Sequence, residues 1–340
     1  MASPFSNLPI DLPTPLLGGL SPAAFMRRHW QKKPLLVRQA VPSFEPPLSR
    51  TELFALAAEP GVESRLIVHG DRGWRLRHGP FARRNLPPLG QPRWTLLVQG
   101  VDLHRDAAHQ LLSRFRFVPD ARLDDLMISW ASDGGGVGPH FDSYDVFLLQ
   151  ASGRRRWRIG RQKDLSLEPD VPLKILSRFE PEEEHLLEPG DMLYLPPRWA
   201  HDGVAEGDDC MTCSIGFRVP QRAGLAAELA QRMGEAFEDS TLYRDPGQHA
   251  TAHPAAMPAD LASFAADALQ HLLADRGSLA CALGEVMTEP KPSVWFDEAR
   301  QAWSPGPVVL DRRTRMMYDQ RHVFINGESF RAGGADARLM

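Results

Sequence analysis

GGGVGPHFDSYDVFLLQ, residues 134–150, runs from a glycine-rich approach into an apolar strand pattern and sets His140 and Asp142 at the junction. The two lie two positions apart in what reads as the start of a strand, so their side chains point to one face. A second stretch, EPGDMLYLPPRWAH at 188–201, has a Pro189–Gly190 turn, a short apolar strand and two prolines that rigidly present His201. The spacings match: Gly134, five residues, then His140; Gly190, five residues, then Pro196, with His201 five positions further on. Two histidines and one carboxylate leave one side of a metal open, which suits non-haem iron(II). A lone histidine is ordinarily a hydrogen-bonded core or turn residue, and His69, His78, His104 and His271 read that way. Asp142 has a bland alternative as a turn cap. Asp145 is the competing carboxylate, but alternation places it on the face opposite His140.

Around this pair lies a β-rich region from Leu126 to Val219, with LMISWA, YDVFLLQA, RRRWRIG, HLLE, MLYLP and CMTCSIGFRV separated by glycine- and proline-bearing turns. Short strands without intervening helices predict an antiparallel barrel or sandwich. Ser152–Gly153 reads as a hairpin turn. In RRRWRIG, alternation sets Arg154, Arg156 and Arg158 on one face and Arg155, Trp157 and Ile159 on the other, so Arg155 looks inward. A buried arginine requires an anionic partner. The distal carboxylate of a dicarboxylate co-substrate would accept its bidentate fork, whereas the bland reading is an internal salt bridge. Ser129, on the face shared by Met127 and Ala131, is positioned to add a hydroxyl to the same carboxylate.

Working outward, 340 residues predict a main domain with smaller additions. A net charge of −4 provides no global pull toward nucleic acid, so no direct nucleic-acid binding is expected and any polyanion contact must be local. No span approaches a membrane helix, and prolines interrupt the apolar N-terminus, which has no basic leader. The three cysteines, Cys210, Cys213 and Cys281, are too few for a disulfide framework and point to the cytoplasm. Cys210-Met211-Thr212-Cys213 lacks a second half for structural zinc and reads as strand residues.

N-terminal to the β-rich region, SPAAFMRRHW predicts a short helix capped by Ser21, followed by a strand in LLVRQAV. SRLIVHG and WRLRHG flank a turn at Asp71-Arg72-Gly73, WTLLVQGV is a further strand, and 106–115 a helix. After Pro220 the character changes. Leu225, Leu229 and Met233, then Leu261, Phe264, Ala268 and Leu272, form helical stripes that fit packing or dimerisation. A proline-rich break at Pro290–Pro292 precedes VFINGESF, where Asn326–Gly327 signals a tight hairpin. The acidic run Glu180–Glu184 mildly suits a cationic substrate, although such runs are usually solvated faces.

The paired motifs resemble those of cupin barrels, with the difference that Val146 and Phe147 stand where a four-ligand cupin carries a glutamate. HWQKKPLLVRQA, SRLIVHGDRGWRLRHGPF, DDLMISWASDGGGVGPHFDSYDVFLLQASGRRRWRIG and LEPGDMLYLPPRWAHDGVAEGDDCMTCSIGFRVP together resemble the bacterial JmjC-type ribosomal oxygenases, more closely the branch that hydroxylates an arginine of large-subunit ribosomal protein sixteen. The resemblance is strong over roughly 20–220 and weaker through the helical region. It implies a mainly β fold with α: a double-stranded β-helix (cupin/JmjC) oxygenase domain over 1–219, a helical dimerisation region over 220–288 and a small winged-helix-like segment over 289–340, shorter than the family pattern. It implies iron(II) at His140, Asp142 and His201, with 2-oxoglutarate held by Arg155 and Ser129, dioxygen as the other co-substrate and no protein nucleophile. The implied partners are a ribosomal protein substrate and a second copy of the chain. The alternatives are a ribosomal-protein histidine as target, a metal cupin enzyme that does not use 2-oxoglutarate, and a cupin-fold binding protein, against which the complete ligand set argues.

Overall fold

The computed structural model of the protein describes residues 9–296 and 310–333. Two compact units emerge: Met1–Val219 with Pro305–Arg312, and Pro220–Ser304 with Arg313–Met340. In the first, helices α1 (Pro22–Arg28), α2 (Arg50–Leu56) and α3 (Asp106–Ser113) accompany strands β1 (Leu35–Val37), β2 (Ser64–Gly70), β3 (Gly73–His78), β4 (Trp94–Val98), β5 (Leu123–Ala131), β6 (Val146–Gly160), β7 (Glu183–Leu187), β8 (Met192–Leu195) and β9 (Ala200–Phe217). The strands form one antiparallel sheet in the order β1-β8-β6-β9-β5-β4-β2-β3, with β7 also paired to β6. Helix α1 begins where the sequence places it: the Ser21 hydroxyl accepts from Ala24 N at 3.2 Å, satisfying one of the helix's free N–H groups.

β6 corrects the expected hairpin at Ser152–Gly153. It runs unbroken from Val146 to Gly160 against β9, with register shifts between Gln150 and Ser152 and between Ser152 and Arg154. Gly153 has a φ of +60° and would place a Cβ 2.9 Å from β9 backbone, so it marks a bulge. A bulge and a tight turn both use glycine, but only the bulge keeps the ladder. The bend lets the first half of β6 pair with β8 and the second half with β7. This curls the sheet into a barrel.

Two cores result. One joins Phe25 of α1 to Phe147 and Tyr194 on the outer side of the barrel, with ring centroids 5.4 and 4.9 Å apart, and extends through Trp94 and Trp130. Burial of each such ring stabilises by roughly 1.5–3 kcal/mol. The other lines the interior: Val146, Leu148, Trp157, Ile159, Leu187, Leu193 and Leu195.

The second unit holds helices α4 (Arg222–Glu235), α5 (Ala259–Ala274) and α6 (Arg276–Thr288) and a three-stranded antiparallel sheet of β10 (Met316–Tyr318), β11 (His322–Ile325) and β12 (Glu328–Arg331). Asn326 and Gly327 both take positive φ and close the β11–β12 hairpin, as their sequence predicts. Of residues 289–340, the described strands contribute Val323 and Phe324 to a buried face against α6. Among the described residues no helix is long and apolar enough to cross a membrane.

Candidate metal centre

The expected strand start at His140 is a loop in the structure; β6 begins only at Val146. His140 and Asp142 converge for a different reason. His140 forms an isolated antiparallel bridge with His201, donating N–H to His201 O at 2.9 Å and accepting from His201 N at 2.8 Å. Asp142 O accepts from Arg198 N at 2.7 Å, which ties the same loop to the approach of β9. Gly138 lets the loop pass, because a Cβ there would meet Ile175 and Trp74 at 3.0–3.1 Å, and its φ is +80°.

The result is a three-residue cluster. His140, Asp142 and His201 each offer a donor atom, and these atoms lie within 4.8 Å of one another. Asp142 Oδ2 is 3.7 Å from His201 Nε2, and the two imidazole centroids are 4.2 Å apart. Both histidines turn Nδ1 to a main-chain carbonyl: His140 to Gly138 O and His201 to Trp199 O, each at 2.9 Å. A carbonyl only accepts, so Nδ1 carries the proton and Nε2 keeps a lone pair, the tautomer a metal needs. His201 is 2% exposed, and burial with His140 beside it pushes its pKa down to about 4. Its imidazole is therefore neutral around pH 7.

Asp145 plays no part in this cluster. It is fully buried and accepts from Tyr194 Oη at 2.6 Å and Gln31 Nε2 at 3.0 Å, with Arg122 Nη2 at 3.7 Å. It anchors the end of the ligand loop to α1's downstream turn and to β8.

Arg155 points inward and is 4% exposed, whereas Arg154 is exposed and Arg156 pairs with Glu184 and Glu206 outside. Its Nε donates to Cys210 Sγ at 3.4 Å, its guanidinium sits 5.7 Å from the Trp157 ring centroid, and Nη2 is buried without a partner. No carboxylate among the described residues forms an ion pair with it. Trp157 lies in turn 5.8 Å from the His201 ring, so guanidinium, indole and imidazole stand in a row. Gly203 makes room for that indole: a Cβ would fall 2.6 Å from its ring carbons. Ser129 is buried on β5 opposite Thr212 of β9, two positions from Ala131, which faces Cys210; register therefore places it on the face that Arg155 touches.

Three residues around the site were not singled out by the sequence. Tyr144, 38% exposed, stands near the Asp142 carboxylate; partial desolvation of the phenol, followed by that negative charge, holds it above its ordinary value. Cys210 and Trp157 appeared only as strand residues. Their inward alternation was legible, but nothing in residue type marked them. The acidic run proves to be a paired face: Glu180 meets Arg178, Glu182 meets Arg161, and Glu184 meets Arg156. Cys210 and Cys213 are free and buried in β9.

An antiparallel barrel that brings two histidines and a carboxylate together beside an inward arginine defines a JmjC-type oxygenase. Residues 110–225 match the JmjC domain family. The ribosomal protein uL16 3-hydroxylase of Escherichia coli is 36% identical over 316 residues, covering 89% of this chain and 84% of that protein. A probable ribosomal oxygenase of Haemophilus influenzae is 38% identical over 61% of this chain and 52% of its own length. The E. coli ribosomal oxygenase YcfD in complex with cobalt and 2-oxoglutarate superposes with a TM-score of 0.75 at 33% identity, over 92% of this chain and 86% of that one. The chain belongs to this family of JmjC ribosomal oxygenases.

Proposed function

We propose that the protein is an iron(II)- and 2-oxoglutarate-dependent hydroxylase of an arginine in a large-subunit ribosomal protein. The observation that carries the reading is Arg155: a guanidinium in an apolar interior, with a thiol and an indole for neighbours and one nitrogen unpartnered. An uncompensated buried charge is costly, and a dicarboxylate supplies the missing anion. His140, Asp142 and His201 would hold the iron. Iron(II), when bound, supplies the activation of dioxygen that an unactivated carbon requires. The chain's own residues bind and orient: Arg155 and Ser129 take the distal carboxylate, and Leu148, Leu187 and Leu193 keep water from the interior.

The uL16 relative supports the ribosomal substrate, and a ribosomal-protein histidine is the second reading. Incubation of candidate large-subunit proteins with enzyme, iron(II) and 2-oxoglutarate should add the mass of one oxygen, and fragmentation should place it on arginine. A protein that consumes no 2-oxoglutarate under these conditions is instead a metal cupin of another class.

The helical region 220–288 is read as a dimerisation module and 289–340 as a winged-helix-like segment. In support of the first, α5 buries none of its residues, and Leu269 and Leu273 are 60% and 59% exposed, an apolar face a second copy would cover. Sedimentation at micromolar concentration should show the dimer. Three free cysteines fit a cytoplasmic enzyme.

A further inference from the structure

The chain's net charge of −4 conceals a local exception. From Arg72 to Arg93 the sequence carries six arginines, Arg72, Arg75, Arg77, Arg83, Arg84 and Arg93, and no aspartate or glutamate. All six are exposed. Several arginines elsewhere on the same unit meet carboxylates, Arg50 with Asp209, Arg116 with Asp120, Arg158 with Asp202 and Arg161 with Glu182, while Arg27, Arg28, Arg154 and Arg198 are single exposed cations or pairs rather than a run of six. None of the six meets a carboxylate among the described residues. Their stems are nonetheless placed. Arg77 lies over Phe81 with its guanidinium 5.6 Å from the ring centroid, and Arg83 lies over Phe54 at 5.4 Å; each also donates to a main-chain carbonyl, of Asn85 and Pro87 respectively, at 3.4 Å.

Arg75 and Arg77 line a groove of about 570 Å³ together with Trp74, Asn85 and Gln91, and Arg83 reaches its rim through the bond to Pro87 O. Trp74 stacks on His69 with centroids 4.1 Å apart, and its far edge backs against Gly138, two residues before His140. Charge on an outermost strand guards against unwanted pairing, and that accounts for Arg75 and Arg77 on β3. It does not account for Arg83, Arg84 and Arg93, which lie outside the strands. Nor does the face suit a cationic target segment, which it would repel.

We propose that the face from Arg72 to Arg93, with the Trp74 groove, is a docking surface for single-stranded RNA beside the metal centre. Unpaired guanidinium forks match phosphate oxygens, an aromatic in the groove offers a stacking surface, and the Asn85 and Gln91 amides can meet base edges. The choice of RNA over another polyanion rests on the ribosomal-protein reading above, since such a substrate is met in the company of RNA. Net charge hid the surface because acidic residues elsewhere cancel it.

The test uses the whole protein and a fluorescein-labelled single-stranded RNA of about twenty mixed nucleotides, followed by anisotropy without added iron or 2-oxoglutarate. Engagement of three or four phosphates predicts a slope of log affinity against log salt of about −2 to −3, or roughly a thirtyfold loss between about 50 and 200 mM salt. Arg75→Glu/Arg77→Glu/Arg83→Glu/Arg84→Glu should weaken binding at least about tenfold and flatten the slope, while Arg161→Glu/Arg178→Glu, on the paired face, should leave both unchanged. Unaltered circular dichroism in both variants keeps the comparison one of charge. Absence of saturable binding at low salt overturns the proposal, as does equal loss in the two variants. Displacement of the RNA by polyglutamate at equal charge also overturns it and points to an acidic protein partner. The mass-shift assay separates the two readings: salt-dependent RNA binding without hydroxylation removes the proposed activity and leaves this face standing, and the reverse result removes the face alone.

Discussion

Asp145 and Arg155 are both buried charges, ten residues apart in the chain, on either side of the bend in β6, and they are treated in opposite ways. Asp145 has a phenol, an amide and a guanidinium around it. Arg155 has a thiol, an indole face and an unpartnered nitrogen. Burial alone therefore does not separate framework from function. The completeness of the partner set does: a carboxylate with a donor on each oxygen and a guanidinium beside it belongs to the architecture, and a cation left without an anion belongs to something that binds.

The largest effect should come from the cluster of His140, Asp142 and His201. His140→Ala or Asp142→Ala should reduce succinate formation by about a thousandfold or more, corresponding to several kcal/mol of lost metal-supplied stabilisation. Melting temperatures of the metal-free proteins should stay near wild type, because the barrel core does not include these side chains. A large drop in stability would place them with Asp145 as framework and blur the contrast.

Asp145→Ala should act on stability instead. Removing one member of a buried, paired set typically costs about 3–5 kcal/mol, since Arg122 and the Tyr194 hydroxyl lose their acceptor. Urea unfolding should show that loss, with half-saturation by 2-oxoglutarate unchanged in the folded fraction. Arg155→Ala should show the reverse pattern. Deleting charged hydrogen bonds to the diacid at about 1.5–3 kcal/mol should raise half-saturation roughly tenfold to a hundredfold, while unfolding free energy stays level or rises. Arg155→Lys retains the charge without the planar fork and should fall between the two. Unchanged half-saturation in Arg155→Ala would mean that the diacid is bound elsewhere or not used.

Most of this contrast was legible before any coordinates. His140, Asp142, His201 and Arg155 declare themselves because residue type and spacing coincide, and period-two alternation is enough to turn Arg155 inward. The mechanism of convergence was not legible: His140 and Asp142 meet through a bridge to His201 on a loop, a long-range pairing that no local period reports. A hairpin and the bulge at Gly153 demand the same residue, so sequence alone does not separate them. α6 carries no clean apolar stripe in sequence, its buried positions being Ala282, Gly284 and Thr288. Cys210 gains its importance only from Arg155, a neighbour that the fold brings close.

The smallest effect is a pH dependence, and it concerns a third buried titratable group, His201, which escapes the charge problem by remaining neutral. Its pKa falls to about 4 in the folded protein, first through burial and then through the neighbouring His140, whereas an unfolded histidine titrates near 6.5. Between those values the unfolded chain binds a proton that the folded chain refuses. Stability of the metal-free protein therefore rises with pH through this window, is complete above about 6.5, and is lost as pH falls toward 4. His109 is also lowered, again mainly by burial, and contributes in the same direction, so wild type alone cannot apportion the slope. Comparison with His201→Asn can. Between about pH 7 and pH 5 the wild type should lose about 1–2 kcal/mol more than the variant in urea unfolding. Equal losses in the two proteins would mean that His201 takes up its proton while folded, with the Asp142 carboxylate 3.7 Å away compensating the charge.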